Sequence, residues 1–182
     1  MEKLKKIYSI IISVFLGIVI LIAVLLVGVR LFGLTPYTVL SGSMSPKYPV
    51  GSVVYVVKVN PFDLKEKDVI TYVIEGGTVV THRIVEVIPD EDDPTVVRFR
   101  VKGDANEDAD GDPVHCSNVL GKVVFGLPVL GYVAYFVQRP PGSIWAIGLC
   151  VTLVILSFLP DLLDKLFKEE DDPPQDTPTP QE

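Results

Sequence analysis

The chain has 182 residues, 23 acidic against 16 basic side chains, a net charge of −7 and 48% hydrophobic residues. That acidic balance excludes a nucleic-acid backbone as partner, because phosphate contacts need lysine and arginine in excess. With two cysteines in the whole chain, a disulfide-held scaffold is excluded as well, and stability has to come from packing.

Lys3, Lys5 and Lys6 precede an apolar run from Ile7 to about Val29 that carries no charged side chain. At 1.5 Å per helical residue such a run crosses a hydrocarbon core of roughly 30 Å. It reads as a permanent transmembrane helix over 7–29. A cleaved secretory signal would have an apolar core of only about 7 to 15 residues. The lysines place residues 1–6 in the cytoplasm and everything after Arg30 outside. Soon after the span comes Tyr37-Thr38-Val39-Leu40-Ser41-Gly42-Ser43-Met44-Ser45-Pro46, which holds a candidate serine nucleophile beside a membrane surface.

Five β-branched runs follow: Ser52–Val59, Asp68–Ile74, Thr78–Val87, Thr95–Lys102 and Gly121–Phe125. They have strand length and are separated by Pro, Gly, Asp and Asn. Glu75-Gly76-Gly77 between two of them predicts a tight hairpin, since glycine supplies the positive φ angles such turns require. No helical periodicity is sustained between the apolar stretches, and no internal repeat is visible. Residues 30–142 therefore read as one small extracytoplasmic antiparallel β domain or partly open barrel. The fold class is mainly β, flanked by two transmembrane α-helices.

The second of these is predicted over 143–163, from the apolar stretch Ile144–Leu159 with Trp145 near its start and Pro160 at its end. It returns the chain to the cytoplasm, where Lys165 and Lys168 agree with the charge rule. The acidic, proline-rich tail, 164–182, reads as disordered and solvated. Cys150 falls in the second span and Cys116 in the outer domain, so the two cannot pair.

A serine becomes a useful nucleophile only when a neighbouring base takes its proton, and that base is usually held in the right tautomer by a carboxylate. The chain has two histidines. His82 lies in a strand-like run where alternation sends Thr81 and Arg83 to one face and His82 with Ile84 to the other. On its own it reads as a core histidine or as a base. His115 follows an Asp-Pro pair and reads as a surface loop residue. The acidic segment Lys102-Gly103-Asp104-Ala105-Asn106-Glu107-Asp108-Ala109-Asp110 leaves a strand through bend-forming residues. Its chemistry suits a solvated loop, a calcium site or a catalytic carboxylate, although it lacks the closing glutamate of an EF-hand loop.

Together these segments resemble the type I signal peptidases, in the branch found in archaea, the endoplasmic reticulum and some Gram-positive bacteria. The resemblance runs from the first span to about Arg139. Ser41-Gly42-Ser43-Met44-Ser45-Pro46 matches the nucleophile box, which implies Ser43 as nucleophile, Ser41 as the hydroxyl joining the Ser43 amide in an oxyanion hole, and Val39 in the wall of the substrate pockets. Thr81-His82-Arg83-Ile84 resembles the box in which bacterial relatives carry a lysine base and this branch a histidine. Gly103-Asp104 through Asp110 resembles the final box, with Asp110 completing a Ser-His-Asp arrangement and Asp104 supporting it. The resemblance implies cleavage of signal peptides from exported preproteins after small residues, with no cofactor or metal. Its partners would be preproteins and membrane lipid, with the secretion translocon as a further candidate. Two positions depart from the family pattern. Lys67 stands where glycine is frequent, and Ala105 where asparagine is.

Three rival readings remain at this level. A serine–lysine dyad would use Lys58 or Lys102 and leave His82 dispensable. A noncatalytic tethered β domain would act as a binding or scaffold subunit. A calcium-dependent adhesion domain would lean on the acidic loop alone.

Overall fold

The computed structural model describes residues 2–90 and 93–169. The chain divides into two units, one made of residues up to Ile22 and from Ile144 onward, the other of Ala23–Ser143.

The first unit is helical. α1 spans Glu2–Leu26 and α3 spans Gly142–Glu169. Within them Lys5–Leu26 and Gly142–Pro160 are long and apolar enough to cross a membrane. Apolar side chains such as Ile11, Phe15, Ile18, Ile147 and Phe158 are more than half exposed, or nearly so. A helix apolar on all sides needs an apolar surrounding. The Tyr8 hydroxyl donates to the Leu156 carbonyl at 3.1 Å, linking the two helices. Pro160 lies inside α3 and does not end it. The expected disordered tail is corrected in its first residues, because α3 runs on to Glu169, through a Leu-, Asp- and Lys-containing stretch that includes good helix formers. Residues 170–182 of that tail, and Glu91 and Asp92 of an acidic cluster, lie outside the described residues.

The second unit is a single antiparallel sheet of β1 (Leu34–Thr38), β2 (Val53–Val57), β3 (Val69–Val73), β4 (Val79–Pro89), β5 (Val97–Lys102), β6 (Val114–His115) and β7 (Val119–Leu127). Their spatial order is β1-β2-β7-β3-β4-β5-β6. The five predicted runs became β2, β3, β4, β5 and β7. On β5 the alternation is visible residue by residue: Val97, Phe99 and Val101 are buried while Arg98 is exposed. Across the ladder Arg100 stands opposite Glu86 and pairs with it at 2.7 Å. Phe99, Ile70 and Ile84 are fully or almost fully buried in one core cluster, each contributing about 2–3 kcal/mol of burial. The β3–β4 hairpin turns at Gly76 and Gly77, with φ of 81° and 78°.

β1, β6 and a short helix, α2 (Leu130–Val137), were not among the expected elements. α2 falls in the stretch where no helical periodicity is sustained. Eight residues reading LGYVAYFV are too short and too uniformly apolar to display a period, and the buried positions are the small Gly131 and Ala134. His115 sits on β6 and not in a loop, where its ring caps the following turn by accepting from the Ser117 N–H at 3.2 Å. Cys116 and Cys150 are both free.

Two of the strand edges left unpaired among the described residues frame the site. β1 pairs only with β2. The first half of β4, Val79–His82, pairs with β3 but not with β5, whose ladder begins at Arg83 opposite Lys102.

Candidate active site

Ser43 lies on the loop between β1 and β2. Its neighbour Met44 is 1% exposed, an anchor worth about 2 kcal/mol of burial. The loop is closed by Ser45 N–H to the Gly42 carbonyl at 3.0 Å and Tyr48 N–H to the Met44 carbonyl at 2.9 Å. The Ser43 carbonyl accepts from the Ala105 N–H at 2.8 Å, which joins the nucleophile loop to the acidic loop. Gly103 permits that approach, since a Cβ there would lie 2.7 Å from the Ser43 carbonyl oxygen. The Ala105 departure is thus carried by backbone: what this residue supplies is its N–H. The Ser41 and Ser43 hydroxyls are 3.1 Å apart. Among the described residues the Ser43 N–H donates to no protein acceptor.

His82 is 7% exposed on β4. Its Nδ1 lies 2.6 Å from Asp110 Oδ2, in the range of a charge-assisted hydrogen bond. Asp110 is placed by its own backbone, whose N–H donates to the Val101 carbonyl at 2.9 Å. The residue that sequence reasoning missed is Tyr72. Its hydroxyl donates to the same Asp110 Oδ2 at 2.8 Å and lies 3.3 Å from His82 Nδ1. Burial first, then the Asp110 hydrogen bond and charge, push the phenol far above its ordinary range, so Tyr72 stays a donor. The signal was present in the run Asp68–Ile74. Ile70 stands opposite His82 in the ladder, and Tyr72 is two residues along, on the same face.

The next residue of β4 points the other way. Arg83 grips Asp104 with both prongs of its guanidinium, Nε to Oδ1 at 2.7 Å and NH2 to Oδ2 at 2.6 Å. Its remaining NH1 donates to the Lys67 carbonyl at 2.8 Å. The hydrogen bond to Asp104, partly opposed by burial, raises the Arg83 pKa. Tyr48 beside this pair is raised too, chiefly by burial. Lys67 has φ of 74°, the left-handed conformation natural to glycine. The departure at this position therefore changes the side chain and not the turn.

Val39, Ser41, Ser43, Met44 and His82 line one cleft of about 570 Å³, walled by Tyr37–Ser41 on one side and Thr78–His82 on the other. Val39 is buried, and its backbone is fixed by Ser52 and Gly51. The Ser43 hydroxyl is paired with Ser41 and not with His82. Asp110 stands behind His82 and lines a separate cavity with Tyr72. Asp104 is brought to Arg83, away from that pair. Neither Lys58 nor Lys102 lines the cleft, and Lys102 donates to the Glu107 carbonyl at 2.6 Å. Among the described residues no group of three or more His, Cys, Asp or Glu side chains is placed to hold a metal ion.

The arrangement offers a hydroxyl nucleophile, an imidazole with a carboxylate behind it, and an unpaired N–H beside the nucleophile, the components of acyl transfer. The chain is similar to Signal peptidase I W of Bacillus subtilis (strain 168), with 34% identity over 134 residues and 69% of each chain covered. No family model matches it.

Proposed function

The chain belongs to the signal peptidase I family, and from that membership we propose a membrane-bound serine endopeptidase that cuts exported preproteins after small residues at the membrane surface. α1 and α3 are the two membrane crossings in this reading, and the β unit is extracytoplasmic.

The preprotein enters the cleft as an extended strand between the free edges of β1 and β4, where main-chain hydrogen bonds give affinity and shallow pockets lined by Val39 admit only small side chains. Those small residues occupy the first and third positions before the cut. Insertion of the substrate's own apolar segment in the same bilayer supplies proximity that a soluble enzyme would have to obtain by association. His82 takes the Ser43 proton on Nε2, with Nδ1 kept on Asp110, as Ser43 Oγ attacks the scissile carbonyl. The oxyanion is received by the Ser43 N–H and the Ser41 hydroxyl. Asp110 stabilises the imidazolium, which then protonates the leaving amine, and water hydrolyses the acyl-enzyme by the same route reversed. Such a base works only when neutral, so activity is lost on acidification.

The observation that carries this reading is the convergence of Ser41, Ser43 and His82 on one cleft with Asp110 held at 2.6 Å behind the imidazole. The test is cleavage of a preprotein bearing an Ala-x-Ala site in liposomes, with the new N-terminus mapped. Cleavage after the second alanine, abolished in Ser43→Ala, is expected. A folded wild-type protein that cuts none of several preproteins would return the noncatalytic scaffold reading.

A further inference from the structure

We propose that Tyr72 is a positioning residue for this hydrolysis, fixing the protonation pattern of the His82–Asp110 pair and setting the pH at which His82 stops serving as base. The proposal rests on the catalytic roles given above.

Asp110 Oδ2 lies at hydrogen-bond distance from two groups, the Tyr72 hydroxyl at 2.8 Å and His82 Nδ1 at 2.6 Å. The phenolic hydrogen is committed to the carboxylate, so at 3.3 Å the Tyr72 oxygen offers Nδ1 only a lone pair. Both neighbours of Nδ1 are then acceptors. Nδ1 must carry the ring hydrogen, and Nε2 keeps the lone pair a serine proton needs. Sharing Oδ2 has a second effect. A carboxylate oxygen that already accepts from a phenol is less basic, so it stabilises the imidazolium less. Tyr72 therefore loosens the hold of Asp110 on the imidazolium.

The fold makes this contact a fixed one. Tyr72 is 2% exposed and sits on β3 beside the strand of His82, where the register against β7 shifts between Thr71 and Tyr72. Such an irregularity re-aims a side chain. The groups that face the pair come from several elements: Tyr72 on β3, Ser43 at the front, and Glu75, Asp112 and His115 around a cavity of about 430 Å³ that Tyr72 and Asp110 also line. Asp104 is held by the Arg83 guanidinium. Of these, Tyr72 is the one hydrogen-bonded to the oxygen that His82 uses.

The chain has two histidines, so 15N-histidine labelling of the full chain in detergent micelles yields two ring titrations, assigned with His115→Gln. Wild type and Tyr72→Phe are compared in a Ser43→Ala background, and pH–rate profiles are measured with Ser43 intact. In Tyr72→Phe the His82 midpoint and the acid limb of kcat/KM should both rise by about half to one pH unit, the size expected for losing one hydrogen bond to the carboxylate. At neutral pH turnover should fall because more of the imidazole is then protonated, and it should recover at higher pH with KM little changed. An unmoved His82 midpoint in a folded Tyr72→Phe protein overturns the proposal, as does a lower kcat with an unmoved acid limb. If Tyr72→Phe does not fold, site-specific replacement of Tyr72 by 3-fluorotyrosine, a stronger donor of nearly the same shape, must move the midpoint down, and no movement overturns the proposal equally. The titration needs no substrate. A wild-type protein that cleaves nothing counts against the proposed function, whereas the titration alone decides the linkage.

Discussion

His82 and Arg83 are adjacent on β4, yet alternation sends them to opposite faces, and each meets an aspartate from the same loop. Arg83 and Asp104 form a two-pronged pair between a permanent cation and a carboxylate, with side chains 24% and 18% exposed. His82 and Asp110 form a single short contact between groups 9% and 27% exposed, with a phenol completing it. The first rests on a guanidinium that grips its partner at two points, the geometry of a clamp. The second carries the proposed base and shares its cleft with Ser43. The loop is thus located from one face of β4 and used from the other.

The strongest way to break this division is to remove the titrating pair. His82→Ala and Asp110→Ala should each lower turnover by about 10³- to 10⁴-fold, as for members of a serine triad, with the fold intact by circular dichroism. If a well-folded Asp110→Ala protein kept near-normal activity, the carboxylate role would pass to Asp104 or Asp108. Next in size comes the clamp. Arg83→Met and Asp104→Asn should each lower stability by about 1–3 kcal/mol, the range for hydrogen bonds to charged groups, and should reduce turnover far less than the first pair. Asp104→Asn with wild-type stability and turnover as low as Asp110→Ala would erase the distinction. The smallest effect belongs to Lys67, whose left-handed backbone costs a non-glycine residue roughly 1 kcal/mol. Lys67→Gly keeps the carbonyl that Arg83 uses, so a gain of up to about 1 kcal/mol in thermal unfolding is expected, tempered by the freedom glycine adds to the unfolded chain. Peptidase activity should not change, and a loss of stability would show that the lysine side chain holds the turn.

Much of this was legible because the informative residues obey local rules. The strand runs follow β-branched alternation, Gly76-Gly77 marks its hairpin, and the boxes around Ser43, His82 and Asp110 are contiguous in sequence. What escaped depends on register or on edges. β1 contains Pro36, and a proline without an N–H demotes a run unless the strand lies at an edge, as this one does. Tyr72 could be assigned its contacts only after β3 was set against β4 with Ile70 opposite His82. Lys67 was visible as a departure, but nothing in a lysine announces a positive φ. Arg83 was placed on the correct face by alternation, yet its grip on Asp104 required the loop to be folded back.

The two free strand edges facing the cleft bear on how many different proteins one such enzyme can serve. Peptide groups are common to every polypeptide, so a trough walled by them is largely indifferent to the identity of the side chains that pass along it. Under the proposed function, breadth of clientele and exactness of the cut become separate properties, the former written into backbone and the latter into the small space around Val39. A segment that lacks an amide hydrogen where the trough offers a carbonyl, as at a proline, would be turned away whatever the size of its neighbours.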